Sequence, residues 1–291
     1  MSVSPTRVRF CHQTWQLSSA VQLVHSEGDV TYLVTQSTPF HPVSHIWPDH
    51  PADRGIVEFN KQTFTVDDCL VGAIEVSSGQ LYVDKNIPVK RDTDGWVFVV
   101  VHCLKQPCDI AVGDMVELLV DKEYQNALSR GHSAGHLAFL ALNKVLTEQN
   151  YWRKDADRKD PLGHYDFNSY AQVTSFVTEN RCHDVYRLGK TLRKRGLNSA
   201  DMLANLEDIT QAVNQQLIDW LAVGSAVEVR CEGEALTDSR YWRCQLDLNT
   251  LIEIPCGGTH VQSLSDMGLV KVRLQEVDTQ HIEMHTDVNE R

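Results

Sequence analysis

The residues best equipped for chemistry stand in two short stretches, Arg130-Gly131-His132-Ser133-Ala134-Gly135-His136-Leu137 and Pro255-Cys256-Gly257-Gly258-Thr259-His260-Val261. Residues four apart on a helix share a face, so His132 and His136 can direct two imidazoles at one ion. Cys256 and His260 offer a thiolate and a third imidazole at the same separation, and the two glycines between them leave the backbone free to bring both to one point. Nitrogen and sulfur donors in this pattern are those of a mononuclear zinc site. A histidine pair at this spacing is by itself an ordinary helix-surface or core pattern; the Cys-Gly-Gly-Thr-His turn makes the metal reading the stronger one.

The elements that must position these residues can be read from periodicity. Leu128, Phe139, Leu140, Leu142, Val145 and Leu146 recur at helical intervals around the histidines, which predicts a helix from near Asp121 to about Leu146. Gly131 and Gly135 each cost a helix interior about 1 kcal/mol relative to alanine, so their presence implies close approach of another backbone or of a ligand. A second stripe, Met202, Leu203, Leu206, Ile209, Val213, Leu217 and Leu221, is core packing on a helix, with Asn198 able to cap its start and Gly224 just past its end.

Before the first helix, short β-rich runs at 21–24, 30–34, 55–59, 70–76, 95–103 and 115–120 alternate with turn signals such as Glu27-Gly28, Asp94-Gly95 and Gly113-Asp114. Strands without a long helix predict a small β-barrel. Residues 38–51 are too rich in proline to be helical. His41, His45, Asp49, His50 and Asp53 in and beside that stretch could make a second metal cluster, but no regular element positions them and an ordinary loop is the better reading. Residues 151–163 are polar and read as a connector; strands follow at 226–231, 242–246, 251–254, 269–277 and 281–286, which puts the Cys256 turn between strands. The expected fold is α+β, a β-barrel domain over 1–120 followed by a zinc-binding α+β domain over 121–291.

A chain of 291 residues has room for two domains. No apolar run is long enough to span a bilayer and none in residues 1–16 has the character of a signal peptide, so a soluble, cytoplasmic protein is expected. The eight cysteines are scattered with no C-x-x-C pair, which fits reduced thiols. A formal charge of −12 argues against strong non-specific attachment to nucleic acid but leaves room for a local basic surface. The densest basic run is Arg187, Lys190, Arg193, Lys194 and Arg195, which fits either a solvated face or an RNA contact.

Together the two donor-bearing stretches resemble the editing domain of alanyl-tRNA synthetase and its free-standing AlaX-type relatives. The resemblance continues in Asp53-x-Gly55 after Thr-Pro-Phe-His-Pro, in Asp94-Gly95 before a strand ending at His102, in Gly113-Asp114 leading to the histidine helix, and in Val213-Asn214. Residues 151–197 are the least comparable. This sequence departs from the family at Ser44-His45-Ile46-Trp47, where a glycine-rich segment is common, and at Gly135, where a larger residue is usual. The threonyl-tRNA synthetase editing domain shares the histidine pair but resembles the Cys256 to His260 turn less closely.

The resemblance implies an aminoacyl-tRNA deacylase that hydrolyses the ester joining a wrong amino acid, serine or glycine, to tRNA for alanine. It implies Zn2+ on His132, His136, Cys256 and His260, and it makes the basic run a candidate tRNA-facing patch. Such a site must accept serine and reject alanine, which calls for a group that recognises a hydroxyl. Thr259 is the candidate, with steadying of the turn through a local hydrogen bond as its other role. Four protein ligands would close a tetrahedral site where catalysis needs an open position. Two other functions are therefore compatible with the residues: a non-catalytic RNA-binding protein buttressed by zinc, and a zinc hydrolase of a small ester or amide.

Overall fold

Apolar side chains at alternate positions give the first 120 residues their strands. In the computed structural model, which describes residues 3–247 and 250–289, these are β1 (Arg7–Val8), β2 (Gln16–Glu27), β3 (Val30–Thr35), β4 (Ser37–Thr38), β5 (Gly55–Phe59), β6 (Gln62–Glu75), β7 (Leu81–Val83), β8 (Trp96–Leu104) and β9 (Met115–Val120). β1 and β4 make a short parallel pair. The others form one antiparallel sheet in the order β5-β9-β2-β3-β8-β6-β7, and β5 also pairs with β6, so the pairings return to the strand they start from. Leu33, Phe40, Val57, Val66, Val100, Leu104 and Leu118 lie fully buried in the core of this sheet, where removal of apolar surface from water supplies most of the driving force. β2 and β6 run well beyond the expected 21–24 and 70–76. Their extra residues are largely polar and exposed on one side, yet they keep the ladder, as Gln16 to Ala20 do against β9.

The chain divides into two compact units. The first comprises Met1–Asn126, Val229–Arg240 and Cys256–Thr259, and the second Ala127–Glu228, Tyr241–Pro255 and His260–Arg291. Within the first unit the 229–240 segment is held to the N-terminal strand: the Val8 N–H donates to Glu234 O at 2.8 Å and the Leu236 N–H to Thr6 O at 3.1 Å.

After β9 come α1 (Lys122–Glu148), α2 (Phe167–Ala171), β10 (Gln172–Thr178), β11 (Arg181–Arg187), α3 (Lys190–Lys194), α4 (Ser199–Ala204), α5 (Leu206–Val223), β12 (Val227–Cys231), β13 (Arg240–Gln245), β14 (Leu251–Pro255), β15 (Leu269–Asp278) and β16 (His281–Asn289). The Asp121 carboxylate accepts the Tyr124 N–H at 3.1 Å, which fixes the start of α1. β10, β11, β16 and β15 form an antiparallel sheet in that order. The expected second helix is broken at Asn205 into α4 and α5; α5 buries Ile209, Val213, Leu217, Trp220 and Leu221. The Asn214 amide fastens α5 to β15, accepting the Val272 N–H at 2.7 Å and donating to Val272 O at 2.8 Å.

The two glycines of α1 have a clear cause. A Cβ on Gly131 would lie 2.5 Å from the Arg181 carbonyl oxygen and 2.7 Å from that of Thr178, and one on Gly135 would lie 2.8 Å from the Cys182 sulfur. The helix therefore rests directly on the β10–β11 hairpin. Asn180, in the left-handed conformation at φ 60°, donates its N–H to Ala127 O at 2.8 Å and accepts from Arg130 Nε at 2.7 Å. The close approach that the glycines imply is to the hairpin backbone at Gly131 and to the Cys182 side chain at Gly135.

Candidate metal centre

α1 carries His132 and His136 one turn apart, and their ring centroids are 4.8 Å from each other. The His260 ring lies 4.3 Å from His132 and 5.1 Å from His136. With the Cys256 sulfur these three imidazoles make a group of four potential donor atoms, all within 4.8 Å of one another. Ligands of a tetrahedral zinc, with metal–ligand bonds of about 2.0–2.3 Å, stand roughly 3.4–3.8 Å apart. The group fits such an ion after a small contraction, and three nitrogens with one sulfur suit it chemically. A His/Cys cluster that can bind a metal ion is thus present in the fold.

The surroundings of the group orient it. Ser133, fully buried, places its Oγ 3.1 Å from His260 Nδ1 and accepts the Val261 N–H at 3.2 Å. That contact engages Nδ1 whichever of the two atoms donates, and so orients the His260 ring. The Trp242 ring stacks on His136 at 5.2 Å, and Phe139 meets the same ring edge-on at 5.6 Å. Aromatic walls of this kind keep water from one side of the imidazole. Burial pushes the Cys256 thiol up to about 12. An ion must therefore displace its proton, with release of that proton to solvent.

Thr259 is buried, and its hydroxyl lies 3.3 Å from His50 Nε2. The other nitrogen of His50 lies 2.8 Å from Pro51 O, a contact only a protonated Nδ1 can make, so Nε2 is left to accept the Thr259 hydroxyl proton. Burial lowers the His50 pKa to about 4, which keeps the ring neutral. The proline-rich segment thus supplies a partner for Thr259. Among the described residues, His41, His45, Asp49, His50 and Asp53 do not converge as a metal-binding group. His41 packs against Phe10 and His50, and the Asp53 carboxylate accepts from the His41 N–H and the Gln125 side chain.

Arg187 ends β11, Lys190, Arg193 and Lys194 lie on α3, and Arg195 follows it. The first four are exposed. Arg195 is half-buried, with its guanidinium 4.5 Å from the Tyr170 ring and 3.5 Å from the Asp157 carboxylate. Spacing points to no role for Ser133 or Trp242, and it brings in His50 only as a member of the candidate cluster of the proline-rich stretch.

No protein-family model matches the chain. It is similar to an alanine–tRNA ligase of Caldivirga maquilingensis, 25% identical over 275 residues that cover 94% of this chain and 25% of the ligase. It is also similar to the alanyl-tRNA editing protein AlaX-M of Pyrococcus horikoshii, 26% identical over 185 residues, 64% of this chain and 65% of AlaX-M. An alanine–tRNA ligase of Desulfitobacterium hafniense is 30% identical over 190 residues, which cover 65% of this chain and 19% of the ligase. The chain therefore spans about a quarter of the ligase that it matches over most of its own length, and under two thirds of AlaX-M. Among the described residues no helix is long and apolar enough to cross a membrane.

Proposed function

We propose that this chain, a relative of the alanine–tRNA ligases and of an AlaX-type alanyl-tRNA editing protein, is a zinc-dependent hydrolase that removes serine or glycine from wrongly charged tRNA for alanine. The observation that carries this reading is the convergence of His132, His136, Cys256 and His260 in a chain with those relatives. Zinc held there would polarise an ester carbonyl or lower the pKa of a bound water. Ser133 then orients the His260 ring, and Trp242 and Phe139 shield the His136 ring. Thr259 would recognise the serine hydroxyl, with His50 holding its side chain in one orientation.

In this reading the circuit of paired strands from β5 round to β6 is a small closed barrel, 1–120 is one domain, and 121–291 is the editing domain. The exposed cations Arg187, Lys190, Arg193 and Lys194, with Arg195, are the part of the surface that would meet tRNA, and the cytoplasm is where such a protein would work. A second reading, zinc as a structural buttress of a non-catalytic RNA-binding protein, is favoured by one observation, that four protein donors already lie within reach of one ion.

The test is to offer the purified chain Ser-, Gly- and Ala-tRNA for alanine and to measure release of each amino acid. Release of serine or glycine with Ala-tRNA spared supports editing, and stoichiometric zinc with no release supports the buttress. Thr259→Val sharpens the test: it should keep the zinc and slow seryl release more than glycyl release, because glycine has no hydroxyl to recognise. Equal slowing of both would assign Thr259 to the turn.

A further inference from the structure

Cys11, His12 and Cys231 bring one donor atom each within 4.8 Å of one another, and the Cys231 sulfur lies 3.5 Å from that of Cys11. We propose that these three residues form a second metal site, for a thiophilic cation such as Zn2+ or Cu+. Two thiolates and an imidazole with no carboxylate are a soft donor set, the kind that selects these ions over Mg2+ or Ca2+. Sulfur ligands on a common zinc stand roughly 3.8 Å apart, close to the separation found here, whereas a disulfide needs about 2.05 Å. The two sulfurs are therefore spaced for an ion between them, with the His12 donor within 4.8 Å of both.

The donors come from two segments that other contacts already hold together. Cys11 and His12 belong to the 3-10 turn Phe10–His12, which Gln13 ends in the left-handed region at φ 56° and which buries Phe10. Cys231 ends β12. The Val8 N–H bond to Glu234 and the Arg9–Glu234 ion pair at 2.6 Å tie the strand before the turn to the segment after Cys231. The Arg240 guanidinium interacts with both sulfurs and offsets part of their charge as thiolates. His12 is exposed while both cysteines are half-buried, so an ion can enter from solvent on the imidazole side. On binding, two S–H bonds break, two sulfur–metal bonds form, and two protons pass to water; no oxidant is required. A bound ion would pin the 3-10 turn to the end of β12.

The experiment titrates the reduced full-length chain with Cd2+ alone, counting bound metal and following sulfur-to-cadmium absorbance, and repeats this on the Cys11→Ser, Cys231→Ser double variant and on His12→Ala. The wild type should hold one more Cd2+ per chain than the double variant and lose the absorbance of two thiolates on their replacement. His12→Ala should weaken that one ion by about tenfold or more. As a check that needs no substitution, Cd2+ should protect Cys11 and Cys231 of the wild type from alkylation. Equal stoichiometry in wild type and double variant, equal alkylation with and without Cd2+, or a Cys11–Cys231 disulfide in place of bound metal would each overturn the proposal. Because only Cys11, His12 and Cys231 are altered, failure here leaves the deacylation reading untouched, and failure of that reading leaves this site standing.

Discussion

Two of the regions where histidines gather behave differently: the histidines of α1 come together with His260 and Cys256 as a group that could hold a metal ion, and among the described residues those of the proline-rich segment do not. On α1, His132 and His136 are one turn apart on a helix fixed against the β10–β11 hairpin, and their rings converge with His260 and the Cys256 sulfur. Along the proline-rich segment, His41 and His50 pack against one another with centroids 4.4 Å apart, and His50 spends its nitrogens on Pro51 and Thr259. The residue types are alike and the outcomes differ because a regular element sets direction and spacing in one case and a loop satisfies its polar groups locally in the other. The loop nonetheless serves the neighbourhood of the site by holding Thr259.

The sharpest way to break this comparison is to remove one member from each region. Cys256→Ala or His132→Ala should lower zinc affinity by more than about 100-fold, since loss of an outer partner alone typically costs 10- to 100-fold. His50→Gln should retain full zinc by elemental analysis. Zinc lost from the His50 variant, or kept by the Cys256 variant, would erase the distinction.

Acid separates the regions next. His50 and His102 are both lowered by burial to about 4 from an ordinary value of 6.5, and burial also lowers His41. A folded-state pKa below the unfolded one means that the unfolded chain binds more protons between the two. The stability these histidines contribute is therefore full above pH 6.5 and is lost as pH falls toward 4, by up to about 3 kcal/mol for a shift of this size. Asp53 works in the opposite sense: burial raises it to about 7 from 3.8, so its contribution is full at low pH and is lost as pH rises through 7. Burial raises Asp68, Asp160 and Asp184 as well, so the part played by a histidine is read from the difference between wild type and a variant that lacks it. Between pH 7 and pH 4.5 the melting temperature of the wild type should shift downward relative to that of His50→Gln; the same pH dependence in both would mean that His50 does not titrate as its burial requires.

The smallest effect tests how the donor group is aimed. Ser133→Ala leaves all four donors in place and removes the hydroxyl beside His260 Nδ1. Zinc affinity should fall about tenfold, measured by competition with a chelator. No change would mean that the turn alone orients His260.

Much of this was legible in sequence wherever local chemistry and local geometry coincide. The histidine helix, expected over 121–146, is found at Lys122–Glu148, and the strands at 55–59 and 115–120 match β5 and β9 at both ends. The four residues that come together as a candidate donor group stand out by type and spacing. What escaped was set by distant partners. The β10–β11 hairpin lies in residues 172–187, where Thr174, Ser175, His183, Asp184 and Arg187 obscure the alternation, and its turn at Asn180 is defined by the helix that rests on it. The break between α4 and α5 occurs inside an unbroken apolar stripe, which a periodic pattern cannot register. Ser133 and His50 acquire roles only once Val261, His260 and Thr259 are beside them.

If the donor group on α1 and the Cys256 turn drives the proposed editing reaction, that reaction depends on its metal. The most direct test strips the metal from the purified chain with a chelator, reloads it with zinc, and measures release of serine from Ser-tRNA for alanine before and after. Release should be lost on stripping, return with zinc, and fail to return in His136→Ala. Seryl release at an undiminished rate from the fully stripped chain would contradict that dependence.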